Sequence, residues 1–365
     1  MADTATTLTP APRARVKAMM EYHPPLGNRD ALRLDFNENT LGCSPKVREV
    51  LGNISAGSLT RYPERQPIEA LVAAHIGVQP EQLALTNGVD EAIHVLFETF
   101  LEADDELLLP VPTYTMYEVY ASATDACVVT VQAADDLLFP YERLLAAITP
   151  RTKIIAIANP NSPSGSVATR EQLLSLARRA PQAVLLVDEA YYHFHGETVM
   201  DLVGTVPNLV VARTFSKAYG LAGLRLGLLA APVELMRWMR RVLSPYSVNS
   251  IALACLPPAL EDVAYLDWYV SEVLAARAEF EIALDNAGLR RWPSRANFIL
   301  VDIGPQHREF VQLMRAAGVL VRDRSNDPGC LGRVRVTIGT REQMKQAVTA
   351  LNDAVATLKI GRGNQ

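Results

Sequence analysis

Thr214-Phe215-Ser216-Lys217-Ala218-Tyr219-Gly220-Leu221-Ala222-Gly223-Leu224-Arg225 sets one lysine at the end of an apolar run, beside a hydroxyl, with an arginine eight residues on. A lysine so placed can be screened from water and lose part of its preference for charge, as an amine must to act as nucleophile or base. Ser216 and Arg225 suit an anionic handle, most simply a phosphate. One aldehyde cofactor carries its own phosphate and requires a lysine: pyridoxal 5'-phosphate.

Such a cofactor needs further partners, and ligands of open α/β sheets lie outside the carboxyl ends of the strands. Five apolar runs end in suitable groups. Leu83 to Thr86 leads into Asn87-Gly88-Val89-Asp90 at a helix start, where free N–H groups favour a phosphate. Glu106 to Pro110 leads to Tyr114, an aromatic that can lie against a flat ring. Lys153 to Ala158 leads into Asn159-Pro160-Asn161-Ser162-Pro163-Ser164-Gly165, a turn-dense loop that presents Asn161. Ala183 to Val187 ends at Asp188, with Tyr191 close behind, and Leu209 to Thr214 ends at Ser216-Lys217.

Taken singly, each element reads as an ordinary turn, cap or core residue; the set is what points to one cofactor. Asp188-Glu189 after an apolar strand also resembles the acidic pair of a nucleotide hydrolase. That chemistry requires a loop ending in Gly-Lys-Ser/Thr, and no lysine here is followed by Ser or Thr. His193 and His195 near the same carboxylates could ligate an ion, but nothing else at ligand spacing supports a metal, and none is expected.

The remaining pattern describes what positions these groups. Apolar runs without alternation imply strands buried on both faces of a largely parallel sheet, and their alternation with helical stretches implies an α/β architecture. The first of these helices carries Ile93, Leu96, Phe97, Phe100 and Leu101 at helical spacing. After about residue 255 come a long helical stretch (Asp262 to Ala287), strands near Asn297 to Val301, Val319 to Val321 and Arg333 to Ile338, and a closing helix, which read as a smaller α+β domain. The expected organisation is a flexible arm over 1–20, a large domain over 47–255, and a small domain built from 21–46 and 256–365.

A net charge of -5 argues against an obligate nucleic-acid binder. The four cysteines lie far apart, which disfavours a disulfide framework and fits a reducing, cytoplasmic setting. The start of the chain lacks the apolar core of a signal peptide, and no apolar run reaches membrane-spanning length.

Nearly the whole chain, from about Tyr22 onward, resembles the fold type I enzymes of the class I/II aminotransferase superfamily, and most closely their histidinol-phosphate aminotransferase branch. The resemblance rests on Asn37-Glu38-Asn39, Arg61-Tyr62-Pro63, Gly88-Val89-Asp90-Glu91, Pro112-Thr113-Tyr114-x-x-Tyr117, Asn159-Pro160-Asn161, Asp188-Glu189-Ala190-Tyr191, Ser216-Lys217 through Arg225, Ala296-Asn297-Phe298 and Arg335-x-Thr337-x-Gly339-Thr340. It implies an aspartate-aminotransferase-like α/β fold: a large pyridoxal-phosphate domain with a mostly parallel sheet flanked by helices, plus the smaller α+β domain. It further implies that Lys217 forms the internal aldimine and shuttles a proton, that Asp188 pairs with the pyridine nitrogen, and that Asn161 and Tyr191 bind the ring hydroxyl. Tyr114 would stack on the ring. Gly88, Val89, Asp90, Ser216 and Arg225 would hold the phosphate, with Tyr62 reaching over from the second subunit of a homodimer.

For the substrates, a small amino donor and a 2-oxo acid acceptor in ping-pong exchange, the resemblance implies Arg335 as carboxylate clamp and Arg322 as phosphate contact, with Tyr22 and Asn37 assisting. The departures from the family pattern cluster where substrate is chosen. Thr40 replaces a proline, Ser162 and Ser164 replace the usual Asn and Thr, Pro25 replaces a glycine, and Arg324 adds a cation beside Arg322. An aromatic or other amino-acid aminotransferase, or a decarboxylase or lyase on the same scaffold, are the alternatives.

Overall fold

The structure, a computed structural model, describes residues 10–19, 21, 27 and 30–361. Tyr22 lies outside the described residues, as do 1–9 and 20 of the expected arm. Inside that arm, Ala14–Ala18 form a short helix, and the preceding Arg13 pairs with Asp125.

Eleven strands are described: β1 (Leu32–Leu34), β2 (Leu83–Asn87), β3 (Glu106–Val111), β4 (Cys127–Gln132), β5 (Thr152–Ala158), β6 (Val184–Asp188), β7 (Leu209–Thr214), β8 (Leu226–Ala230), β9 (Phe298–Asp302), β10 (Val319–Asp323) and β11 (Arg333–Thr337). Seven form one sheet in the order β2-β8-β7-β6-β5-β3-β4. Its strands run parallel except β8, which is antiparallel to both β2 and β7. Two cores cover the two faces. Leu85, Ile155, Leu185 and Val211 face one, and Ala84, Ile154, Leu186 and Val210 the other. Alternate residues thus enter different cores, which is why the runs are apolar without alternation.

The second sheet has the order β1-β10-β11-β9. The N-terminal β1 pairs parallel with β10, so the chain before the large sheet joins the chain after it. The helix Val263–Ala287 packs here through Tyr269, Val273, Ala276, Phe280 and Leu284, at steps of three and four, and stops at Gly288 in the left-handed region. Before it, Ser250–Glu261 stays helical through Pro257 and Pro258. Two missing N–H donors late in a helix cost bonds to the preceding turn, and burial of Ala252, Leu253, Cys255, Leu256, Ala259 and Leu260 offsets them. No helix among the described residues is long and apolar enough to cross a membrane.

Candidate active site

The five strand ends converge. Asp188 closes β6 and is buried, its Oδ2 accepting from Tyr117 (2.7 Å) and its Oδ1 from the Ala190 N–H (3.0 Å). Burial pushes its pKa up to about 6, against the lowering effect of these two donors. Both are neutral, so the carboxylate is poised to receive a cationic N–H. Next door, Lys217 is half-buried and donates from Nζ to the Phe36 carbonyl (3.0 Å), with Nζ 6.0 Å from the centre of the Tyr191 ring.

The anion cradle is built where β2 meets the helix Gly88–Phe100. Gly88 has φ +77°, and a Cβ there would lie 2.6 Å from an Arg225 guanidinium nitrogen. Gly227 lies beneath, where a Cβ would meet the carbonyl carbon of Gly88 at 2.5 Å and the Val89 nitrogen at 2.7 Å. Only glycines allow the guanidinium and the first helical N–H groups to share one concavity. Arg225 is itself left-handed (φ 54°) and donates to Asp90 Oδ2 (2.9 Å), while the Tyr114 hydroxyl donates to Asp90 Oδ1 (2.7 Å). Asp90's side chain is thus spent on positioning, and its backbone N–H is among the first donors of the helix, which lack an intrahelical acceptor. Ser216 is buried beside it, its N–H donating to Thr214 Oγ1 (3.0 Å).

Arg335 and Arg322 stand directly opposite each other across the antiparallel β10–β11 pair. Arg335 is buried, donating to Ser162 Oγ (2.9 Å) and to the Asp35 carbonyl (2.7 Å), and its Nε has no partner. Burial, then the nearby Arg324, pushes its pKa down to about 10. The Phe36 ring receives two guanidinium groups, those of Arg33 at 5.1 Å and Arg322 at 5.4 Å from its centre. Arg324, the extra cation in the sequence, is committed to Asp327 (2.5 Å). Tyr62 is 77% exposed and stacks on Tyr246 at 4.3 Å.

Two of the expected site residues are held by hydrogen bonds within the protein. Asn161 accepts from Thr113 (2.8 Å) and donates both amide hydrogens, to the Pro112 carbonyl (2.9 Å) and Ser164 Oγ (2.8 Å), so its amide shapes the loop. Its neighbour Ser162 is the one that reaches Arg335. Asn37 is buried, and its polar groups bond to Thr337, Tyr191 and Asn297. Sequence reasoning missed Tyr117, Ser162, Thr337 and the Phe36 carbonyl. Tyr117 and Thr337 stood within motifs and Ser162 among the departures; the Phe36 carbonyl, a backbone group, carried no signal. His193 and His195, read at strand spacing, sit on and just after a 3-10 turn (Tyr192–Phe194). Among the described residues no three His, Cys, Asp or Glu side chains are grouped to hold a metal.

A lysine at a strand end, a buried carboxylate lacking a cation, and a glycine-lined anion cradle fit one group, pyridoxal 5'-phosphate, and the fold is that of the fold type I enzymes. A solved structure of histidinol-phosphate aminotransferase from Sinorhizobium meliloti, in complex with pyridoxal-5'-phosphate, matches it with TM-score 0.86 at 24% identity, covering 96% of this chain and 99% of that one. The family model for aminotransferase class I and II matches residues 29–351, and the chain belongs to that family of pyridoxal-phosphate-dependent transferases. Among curated relatives, the histidinol-phosphate aminotransferase of Geobacillus sp. (strain WCH70) is 35% identical over 344 residues, covering 92% of this chain and 93% of that protein. Histidinol-phosphate aminotransferase 2 of Methylococcus capsulatus is 34% identical over 360 residues, covering 92% and 96%.

Proposed function

We propose that this aminotransferase moves the amino group of histidinol phosphate to 2-oxoglutarate in two half-reactions at one site, with the protein acting as a homodimer. The observation that carries this reading is the pair of arginines opposed in register on β10 and β11. Like charges directly opposite each other destabilise a sheet, and an anionic group between them reverses the sign. A substrate phosphate and, in the other half-reaction, a carboxylate both meet that requirement. The names of the curated relatives support the same donor.

When bound, the cofactor would supply an electron-accepting ring for the reacting carbon of the substrate. Asp188, buried beside neutral donors, holds the proton on the ring nitrogen. The amine of Lys217 would be placed to move a proton at the substrate α-carbon. Val89 and Asp90 N–H groups, Ser216 and Arg225 would hold the phosphate of the cofactor, and Tyr114, pinned through Asp90, would lie beside the ring. Tyr62, exposed on one subunit, reaches the phosphate in its partner. Arg335 and Arg322 orient the substrate anion, Arg335 by a two-nitrogen fork that lysine cannot reproduce.

The test is single-turnover loss of the visible cofactor band with histidinol phosphate, histidine, phenylalanine and glutamate added separately. Histidinol phosphate should react far ahead of the free histidine and phenylalanine. Arg322→Ala should weaken histidinol phosphate by roughly ten- to a hundredfold, the range for one charge-assisted hydrogen bond, and histidinol much less. Equal losses on both donors would remove Arg322 as the phosphate contact; a response to phenylalanine alone would give the enzyme an aromatic substrate.

A further inference from the structure

A short polar chain behind the active site has a fixed direction. The backbone N–H of Asn37, which can only donate, gives its hydrogen to Thr337 Oγ1 (3.0 Å). The hydroxyl of Thr337 donates in turn to Asn37 Oδ1 (3.0 Å). That places the amide nitrogen of Asn37 against the Tyr191 hydroxyl, 2.8 Å away, where it too can only donate. Reversing the amide would bring two N–H groups onto Thr337 Oγ1 and strip the threonine proton of its acceptor at a position with no exposure. Tyr191 oxygen is therefore an acceptor toward Asn37, and its own proton must point elsewhere. Among the described residues that proton has no acceptor.

We propose that Asn37 and Thr337 are positioning residues that make Tyr191 an obligate hydrogen-bond donor to the ring oxygen of the cofactor. That oxygen is carried on the ring carbon next to the one bearing the aldehyde that Lys217 would engage, and the Lys217 amine lies over the Tyr191 ring. Free to rotate, a tyrosine hydroxyl could turn its lone pairs toward the site; with Asn37 in place it presents only its proton. The consequence is electrostatic: a donor at the ring oxygen drains negative charge from it, so the adjacent nitrogen holds its proton less firmly. The charged and titratable groups that bear on Tyr191 are Lys217 from the loop after β7, Arg335 from β11 and Tyr117 from the helix Met116–Ala123. None is altered in the variants below.

The inference rests on the cofactor and is independent of the amino donor, so it is tested without substrate. The measurement is the pH midpoint of the visible absorbance band of the cofactor-loaded protein. Asn37 has φ 55°, so Asn37→Gly removes the side chain without straining the backbone. Tyr191→Phe should raise the midpoint by roughly one pH unit and Asn37→Gly by a fraction of that, in the same direction. The double variant should shift no further than Tyr191→Phe alone, because Asn37 acts only through the hydroxyl. Asn37→Asp, which offers Tyr191 an acceptor, should shift the midpoint more than Asn37→Gly. Thr337→Val should follow Asn37→Gly and Thr337→Ser should restore the parent value, which separates the relay from general packing. An unchanged midpoint in Asn37→Gly, or shifts that simply add in the double variant, would overturn the proposal.

Discussion

Asp188 is where burial and charge are most directly opposed. Its folded pKa, about 6, lies above the ordinary 3.8 because the carboxylate has lost water and gained only two neutral donors. The folded, cofactor-free protein therefore binds this proton more tightly than the unfolded chain does. The stability that follows is fully present below about pH 4 and is lost as pH rises through 6, on the order of 3 kcal/mol for a shift of this size. Urea midpoints of cofactor-free wild type and Asp188→Asn, compared from pH 4 to pH 7, should show that component only in wild type. Adding the cofactor should diminish it, since a cationic partner favours the ionised carboxylate. Asp188 and Lys217 were readable from the sequence because each ends a long apolar run. Asn161 and Ser162 were not separable there, since adjacent loop residues point apart and only the fold says which one meets Arg335.

At the level of elements, the cradle depends on how closely β8 approaches the start of the helix Gly88–Phe100. A methyl group on Gly227 would press on the backbone of Gly88 and Val89, which cannot yield as a side-chain tip could. Gly227→Ala should push the helix N-terminus outward, at a stability cost of roughly 1–3 kcal/mol. The sharper expectation is functional: the preference for pyridoxal phosphate over pyridoxal should fall about tenfold, because the displaced N–H groups serve the phosphate alone. Equilibrium dialysis with both compounds checks this, and an unchanged ratio would separate Gly227 from the phosphate site. The strands themselves were largely legible from apolar runs bounded by turns. The antiparallel sense of β8 was not, because a strand buried on both faces reads alike in either direction. The helix through Pro257 and Pro258 was likewise hidden, since its stabilisation comes from burial against other elements.

For the molecule as a whole, the two sheets meet at the site. Lys217 from the large sheet holds the Phe36 carbonyl, Arg335 from the small sheet holds Ser162, and Asn37 ties β11 to Tyr191. If Tyr62 completes the partner's site, two defective chains should complement each other. Lys217→Ala subunits should be inactive and Tyr62→Ala subunits weak at limiting cofactor. Hybrids should recover about a quarter of the wild-type activity on random mixing, because half the dimers are mixed and each mixed dimer holds one intact site. Recovery no greater than the sum of the parents would place Tyr62 outside the partner's site. By itself the sequence determined the cofactor chemistry and the order of elements: burial on both faces and turn residues at strand ends are local properties, written in consecutive residues. Only the tertiary structure decided that β1 pairs parallel with β10, that Arg322 stands opposite Arg335, and that Asn37 bonds to Tyr191. Each of these joins residues far apart in the chain, and their meeting depends on strand register and packing, which no local pattern encodes.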